Sequence, residues 1–334
     1  MRRSVLVLLL LGAGGCDDEI VGFDSGSTGM DETLGSTSVP DPTTTSITTD
    51  SDDSGSSSSG DVPALGFPRW VAYGFYAGIA VSHDDGETWM DVPDIEGMEV
   101  QEDLARGEDW VVMVGGFDAA RSADGISWEH VDVDLGYARA VVYGSGGYAS
   151  VGQNHIAWSW DGVTWEDARG GVSDVDLVEI AYAEGRFVAV GVGVLATSEN
   201  GVDWTITDIG GEKLQSVTYG SGRFVAVSEM GRIVETADGI NVLRDAATGL
   251  GIFGEIVFCD QQFIVGGTDR FWVSSDAEAW TEVFLSNQGT LGCNDTAYII
   301  PKDEGIFRSP VLDQLELVHV PAQPLGWVRS TDYP

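Results

Sequence analysis

Beyond about residue 67 the chain alternates short apolar runs with glycine-rich turns. The stretch Ile180-Ala181-Tyr182-Ala183-Glu184-Gly185-Arg186-Phe187-Val188-Ala189-Val190 is echoed by Val217-Thr218-Tyr219-Gly220-Ser221-Gly222-Arg223-Phe224-Val225-Ala226-Val227. Short runs rich in β-branched and aromatic residues, bounded by Gly, read as strands rather than helices. One unit divides into four: a run over 214–219, a second over 224–227, a third over 232–236, and a fourth after the turn that follows.

That last turn recurs at a nearly fixed interval. Ser82-His83-Asp84-Asp85-Gly86-Glu87-Thr88-Trp89 is followed by Ser122-Ala123-Asp124-Gly125-Ile126-Ser127-Trp128 and by Ser159-Trp160-Asp161-Gly162-Val163-Thr164-Trp165. Then come Ser198-Glu199-Asn200-Gly201-Val202-Asp203-Trp204, a decayed Thr236-Ala237-Asp238-Gly239-Ile240-Asn241-Val242, and Ser274-Ser275-Asp276-Ala277-Glu278-Ala279-Trp280. The closing positions are 89, 128, 165, 204, 242 and 280. Four strands in about 38 residues is the length of a propeller blade.

The motif resembles the Asp-box, or BNR repeat, of sialidases and related propellers. Only the first copy (Ser82, Asp84, Gly86, Trp89) has all eight positions; the others are a seven-residue variant. The residue chemistry is structural. Short side-chain oxygens of Asp124, Asp161, Asn200, Asp238 and Asp276 can hold turn backbone, and Gly supplies positive φ. The rings of Trp128, Trp165, Trp204 and Trp280 are expected in the apolar layer between blades.

A seventh, degenerate unit fits 297–320, and the first unit lacks an innermost strand that Leu325-Gly326-Trp327-Val328-Arg329 resembles. The expectation is an all-β, seven-bladed propeller of four-stranded antiparallel blades, with six blades as the alternative. It occupies 67–334 and is closed by its last strand, which removes exposed sheet edges. Eleven tryptophans and 45 glycines agree with a turn-rich aromatic core rather than a helical bundle.

Arg2 and Arg3 precede an apolar run over 5–11 and the small residues Gly12-Ala13-Gly14-Gly15 before Cys16. This is the order of a secretory signal, and the run is too short to span a bilayer. The small residues and cysteine resemble a bacterial lipobox, which implies a signal peptide over 1–15 and a diacylated Cys16. Residues 16–66 are rich in Ser, Thr, Gly and Asp, with eleven acids and no Lys or Arg between 17 and 63. Such a segment buries too little apolar surface to offset the entropy of ordering and reads as a disordered tether. The resemblance places the protein in the cell envelope, anchored at the outer membrane or cell surface with the periplasmic side open, and touching membrane only through the lipid.

Charge narrows the partners. Fifty-four acids against 16 bases give −38, and the only lysines are Lys213 and Lys302, so nucleic acid is excluded as a ligand. Cationic or neutral partners outside the membrane are favoured.

Catalytic and metal chemistry leave little trace. His83, His130, His155 and His319 lie far apart, and a calcium loop opening at Asp132 would need an acid where Tyr143 stands. No metal, cofactor or catalytic residue is expected. With Cys16 acylated, Cys259 and Cys293 remain, near the ends of inner strands of adjacent units; a disulfide and two free thiols both fit.

Sialidase resemblance implies an arginine triad, a Phe/Tyr-Arg-Ile-Pro element and a Tyr/Glu pair. The nearest string is Phe67-Pro68-Arg69-Trp70, and Arg69, Arg186 and Arg223 are repeat-equivalent residues on different units. A monomeric binding or assembly scaffold for a protein or glycan is therefore the expectation, with a sialidase-like glycoside hydrolase as the alternative. Ligand residues are expected on the face opposite the Asp-box turns, where Tyr76, Asp118, Asn154, His155, Glu229, Asp269 and Arg270 break the repeat. Clustered Arg, Glu and Tyr at the channel mouth would favour the hydrolase; a broad apolar face would favour the scaffold.

Overall fold

A computed structural model describes residues 66–76, 78–170, 174–250, 254–267, 270–283, 290–302, 304–312 and 314–331. Cys16 and the segments read as signal and tether lie outside the described residues, apart from Gly66. The chain divides into Met1–Ser58 and Ser59–Pro334, and the fold below is that of the second unit.

The named strands form six antiparallel sheets, five of four strands and one of six. In the first sheet Trp327–Ser330 lies beside Trp70–Tyr73, followed by Ile79–Ser82 and Met90–Val92. Trp70 stands opposite Ser330, and Tyr73 opposite Trp327. Thr331 extends the join: its amide donates to the Arg69 carbonyl at 2.8 Å and its hydroxyl to that of Pro68.

The expectation of seven separate four-stranded blades is corrected, and six is the number of sheets. Arg186–Ser198 turns back on itself at Val192-Gly193, where Gly193 has φ +68, so the Thr197 hydroxyl donates to the Phe187 carbonyl at 2.9 Å. Thr205–Gly220 then carries the chain from the outer edge of one repeat into the inner strand of the next. Val192 pairs with Lys213, and the repeats beginning at Leu177 and Leu214 share one hydrogen-bonded ladder. Gly-rich hairpins this short leave no gap between strands, a continuity that motif spacing does not reveal.

The residue opposite the turn Ser or Thr is aromatic in most repeats: Trp70 faces Ser82, Tyr148 faces Ser159, Phe224 faces Thr236, Phe263 faces Ser274 and Tyr298 faces Ser309. All five rings are buried, packed between neighbouring repeats. Cys259 and Cys293, at the ends of Ile256–Cys259 and Gly292–Cys293, are joined by a disulfide with Cα atoms 6.3 Å apart.

The repeated turns share one hydrogen-bond pattern. Asp124 Oδ1 accepts the amides of Ile126 and Ser127 at 2.8 and 2.7 Å, Ser122 Oγ accepts the Gly125 amide at 2.8 Å, and Trp128 Nε1 donates to the Gly125 carbonyl at 3.0 Å. Asp161, Asn200 and Asp238 repeat the paired acceptance. The longer first turn differs, because Asp84 takes both the amide and the hydroxyl of Thr88. The tryptophan rings are less buried than the motif suggests: Trp204 is 4% exposed, while Trp89, Trp128, Trp165 and Trp280 are half-buried at the sheet edges.

The Asn241 backbone amide, followed by its side-chain amide, holds the Asp238 carboxyl down at about 2. A depressed carboxyl contributes stability above the unfolded value of about 4 and loses it as pH falls from about 4 to about 2. Asp238→Asn keeps the acceptor, as Asn200 shows. Melting temperatures measured across that window should fall less steeply for the variant than for the parent.

Candidate functional site

In a four-stranded antiparallel unit, turns between first and second strands share a face with turns between third and fourth. The opposite face carries the second-to-third turns and the connections between units. The residues expected to bind ligand there are tied mostly within their own repeats. Asp118 pairs with His130 at 3.5 Å, half-buried His155 stands 3.8 Å from Asp167, and Arg270 bonds Glu282 at 2.9 Å. Glu229 accepts a bond from Gln215. Asn154 is exposed at φ +59, its amide donating to the Val175 carbonyl at 2.8 Å. Asp269 lies outside the described residues. These polar residues do not assemble into one site.

Apolar side chains are exposed on this face as well, Tyr76 of the expected set among them. Tyr76 (73% exposed), Phe117 (59%), Val192 (49%) and Met230 (71%) cap second-to-third turns of four repeats. Phe75 braces Tyr76 edge-on with centroids 4.6 Å apart, and Tyr137 braces Phe117 at 6.0 Å. The repeat places all four tips on one face.

A second constellation lies on the axis. The innermost strands enclose a cavity of about 290 Å³ lined by Asp103, Glu179, Glu255, Arg329 and surrounding aliphatic residues, with Arg106, Tyr143 and Tyr182 also on its wall. Arg329 Nε donates to Asp103 Oδ1 at 2.9 Å, its Nη1 bonds Glu255, and its Nη2 stands 3.8 Å from Glu179. Asp103 also accepts the Val141 amide at 3.0 Å and the Tyr73 hydroxyl at 3.3 Å. Glu255 Oε2 is buried with no hydrogen-bond partner among the described residues. Burial opposes the charged guanidinium, yet Glu255 and then Asp103 hold the Arg329 pKa well above its ordinary value. Burial, reinforced by Asp103, likewise pushes the Tyr73 phenol well above its usual range.

Sequence reasoning missed this cluster. The signal was present: Asp103, Glu179 and Glu255 interrupt apolar inner strands at spacings of 76 residues, in alternate repeats. Repeat-equivalent residues at the start of second strands diverge, as Arg69, Arg186 and Arg223 do in bonding their own turns and strands, but innermost-strand equivalents converge on the axis. Among the described residues no group of His, Cys, Asp and Glu is placed to hold a metal ion, and no helix is long and apolar enough to cross a membrane.

No protein-family model matches the chain, and no curated protein matches it. Solved structures do. YCF48 bound to D1 peptide superposes with a TM-score of 0.55 at 15% identity, over 72% of this chain and 96% of that one. The WD40 beta propeller domain of Doa1 gives 0.56 at 12% identity, over 73% and 89%. The fold is a β-propeller. The computationally designed Ika8 protein gives 0.54 at 13% identity, over 73% and 81%. At such identities the likeness extends to the fold alone, so this propeller's activity rests on its own residues.

Proposed function

We propose that the protein is a lipid-anchored, cell-envelope propeller of the Asp-box type that works as a binding scaffold for a protein ligand. The observation that carries this reading is the set of apolar tips on the face opposite the repeated turns, since exposed apolar residues grouped on one face mark interaction surfaces. That YCF48, a propeller of similar fold, was solved with a bound peptide agrees with it. Acylation at Cys16 and the acidic tether would hold a monomeric ring away from anionic headgroups. The reading is tested by placing a photo-crosslinking residue at Phe117 or at Trp160, which is exposed on the opposite face, in the full chain within its native membranes. Protein adducts are expected from position 117 and not from 160, and Cys16→Ser should release the chain from the membrane fraction. Adducts at both positions or neither would overturn the docking face.

The axial cluster favours one second reading, a glycoside hydrolase, because Arg, Glu and Tyr do converge there. Its polarity is the reverse of a sialidase site. One arginine is surrounded by three acids, and the raised Tyr73 phenol is a poor nucleophile. Turnover of aryl glycosides that disappears in Glu255→Gln would establish this reading instead.

A further inference from the structure

On the docking-face reading above, we infer that the sector formed by the first two repeats receives a basic polypeptide segment, one whose Lys or Arg side chains stack on Tyr76 and Phe117. Each aromatic tip is bound to the connection leaving its own repeat. The Gln101 amide donates to the Phe75 carbonyl at 2.8 Å, and the Leu135 amide to that of Phe117 at 3.1 Å. These connections present exposed Glu96 and Glu99 beside the first tip and exposed Asp132 and Asp134 beside the second. Two acids of these connections also serve the fold: Asp94 accepts the Gly78 amide at 2.9 Å and the Gln323 side chain at 3.0 Å, and Asp134 accepts the Gly136 amide at 3.1 Å.

No Lys or Arg occurs between positions 70 and 105, or between 122 and 138. The carboxylates of the two connections therefore have no Lys or Arg from their own segments, and the His130 ring that packs against Gly97 stands 3.5 Å from Asp118. An aromatic face flanked by exposed carboxylates is the environment that attracts ammonium and guanidinium groups, through ring quadrupole and ion pairing together. Charge also removes the other occupants. The tether carries eleven acids and no base, and a second copy of the chain has the same sign at −38.

The test uses the full chain in mild detergent and measures anisotropy of a labelled peptide repeating Lys-Leu-Ser. Its counterpart repeating Glu-Leu-Ser and an N-acetylglucosamine oligosaccharide serve as competitors. The Lys peptide should bind with strong salt dependence, and Tyr76→Ser with Phe117→Ser should weaken it about tenfold or more. Glu96→Lys with Glu99→Lys, at exposed positions that cannot unpack the core, should weaken it comparably, while Trp160→Ser should change it less than about twofold. Equal competition by the Glu peptide or the saccharide, or indifference to the Glu96 and Glu99 changes, would overturn the inference. A captured protein that meets position 117 through a segment lacking Lys and Arg would sink this inference alone, whereas no captured protein at all would sink the docking face itself.

Discussion

Replacing Arg329 with Met should destabilise the ring by about 3 to 5 kcal/mol at neutral pH, because breaking a buried ion network leaves its remaining charges uncompensated. Methionine fills most of the space but leaves Asp103, Glu179 and Glu255 facing one another across the axis. Their carboxylates then repel, and Asp103 keeps only the Val141 amide and the Tyr73 hydroxyl. Chemical denaturation at a series of pH values separates charge from packing. The deficit relative to the parent should shrink as pH falls through the carboxylate range, since protonated acids need no counter-ion. Adding Glu255→Gln to Arg329→Met should recover part of the loss at neutral pH. A deficit constant with pH would mean that Arg329 acts through its bulk.

Trp158→Ala should cost about 3 to 5 kcal/mol, the range for deleting a large buried ring. Trp158 is 1% exposed and belongs to the cluster that also holds Phe187 and Trp204. It meets Phe187 edge-on at 5.7 Å and Trp160 at 5.1 Å. Its ring lies on Gly201 of the next repeat's turn, where an added Cβ would drive straight into it and where φ is already +75. Gly201→Ala should therefore be damaging by the opposite route, overfilling the space that the alanine at 158 would empty. Trp165→Ala, at a half-buried edge ring, should cost visibly less than Trp158→Ala in the same denaturation series. Equal losses would contradict the assignment of Trp158, rather than the turn tryptophans, as the wedge between repeats.

The turn motif made strand order, hairpin polarity and the backbone-holding role of Asp124, Asp161 and Asn200 legible, because these are local consequences of side chains a few residues apart. Burial was less legible. The turn tryptophans read as core, yet the ring opposite the turn serine or threonine takes the deeper place, as Phe224 and Phe263 do, since it sits on the second strand, nearer the axis than the fourth strand that Trp128 and Trp165 open. Polar irregularities pointed to the face opposite the turns, but two of those residues are tied locally, Asp118 to His130 and Arg270 to Glu282. Their apolar neighbours Phe117 and Met230 are exposed. The axial cluster escaped because alignment on outer turns treats equivalent residues as separated, whereas rotation about a common axis brings the innermost ones together.

Pairing of Trp327–Ser330 with Trp70–Tyr73 joins segments more than two hundred residues apart in the chain. On a nascent polypeptide the first sheet has to wait, three-stranded, for the last to emerge, and loop closure of that length is slow. The strand that arrives also carries Arg329. Mechanical closure and the arrival of the counter-charge among the three axial acids are thus a single event, so a closed ring is latched by the residue that closed it.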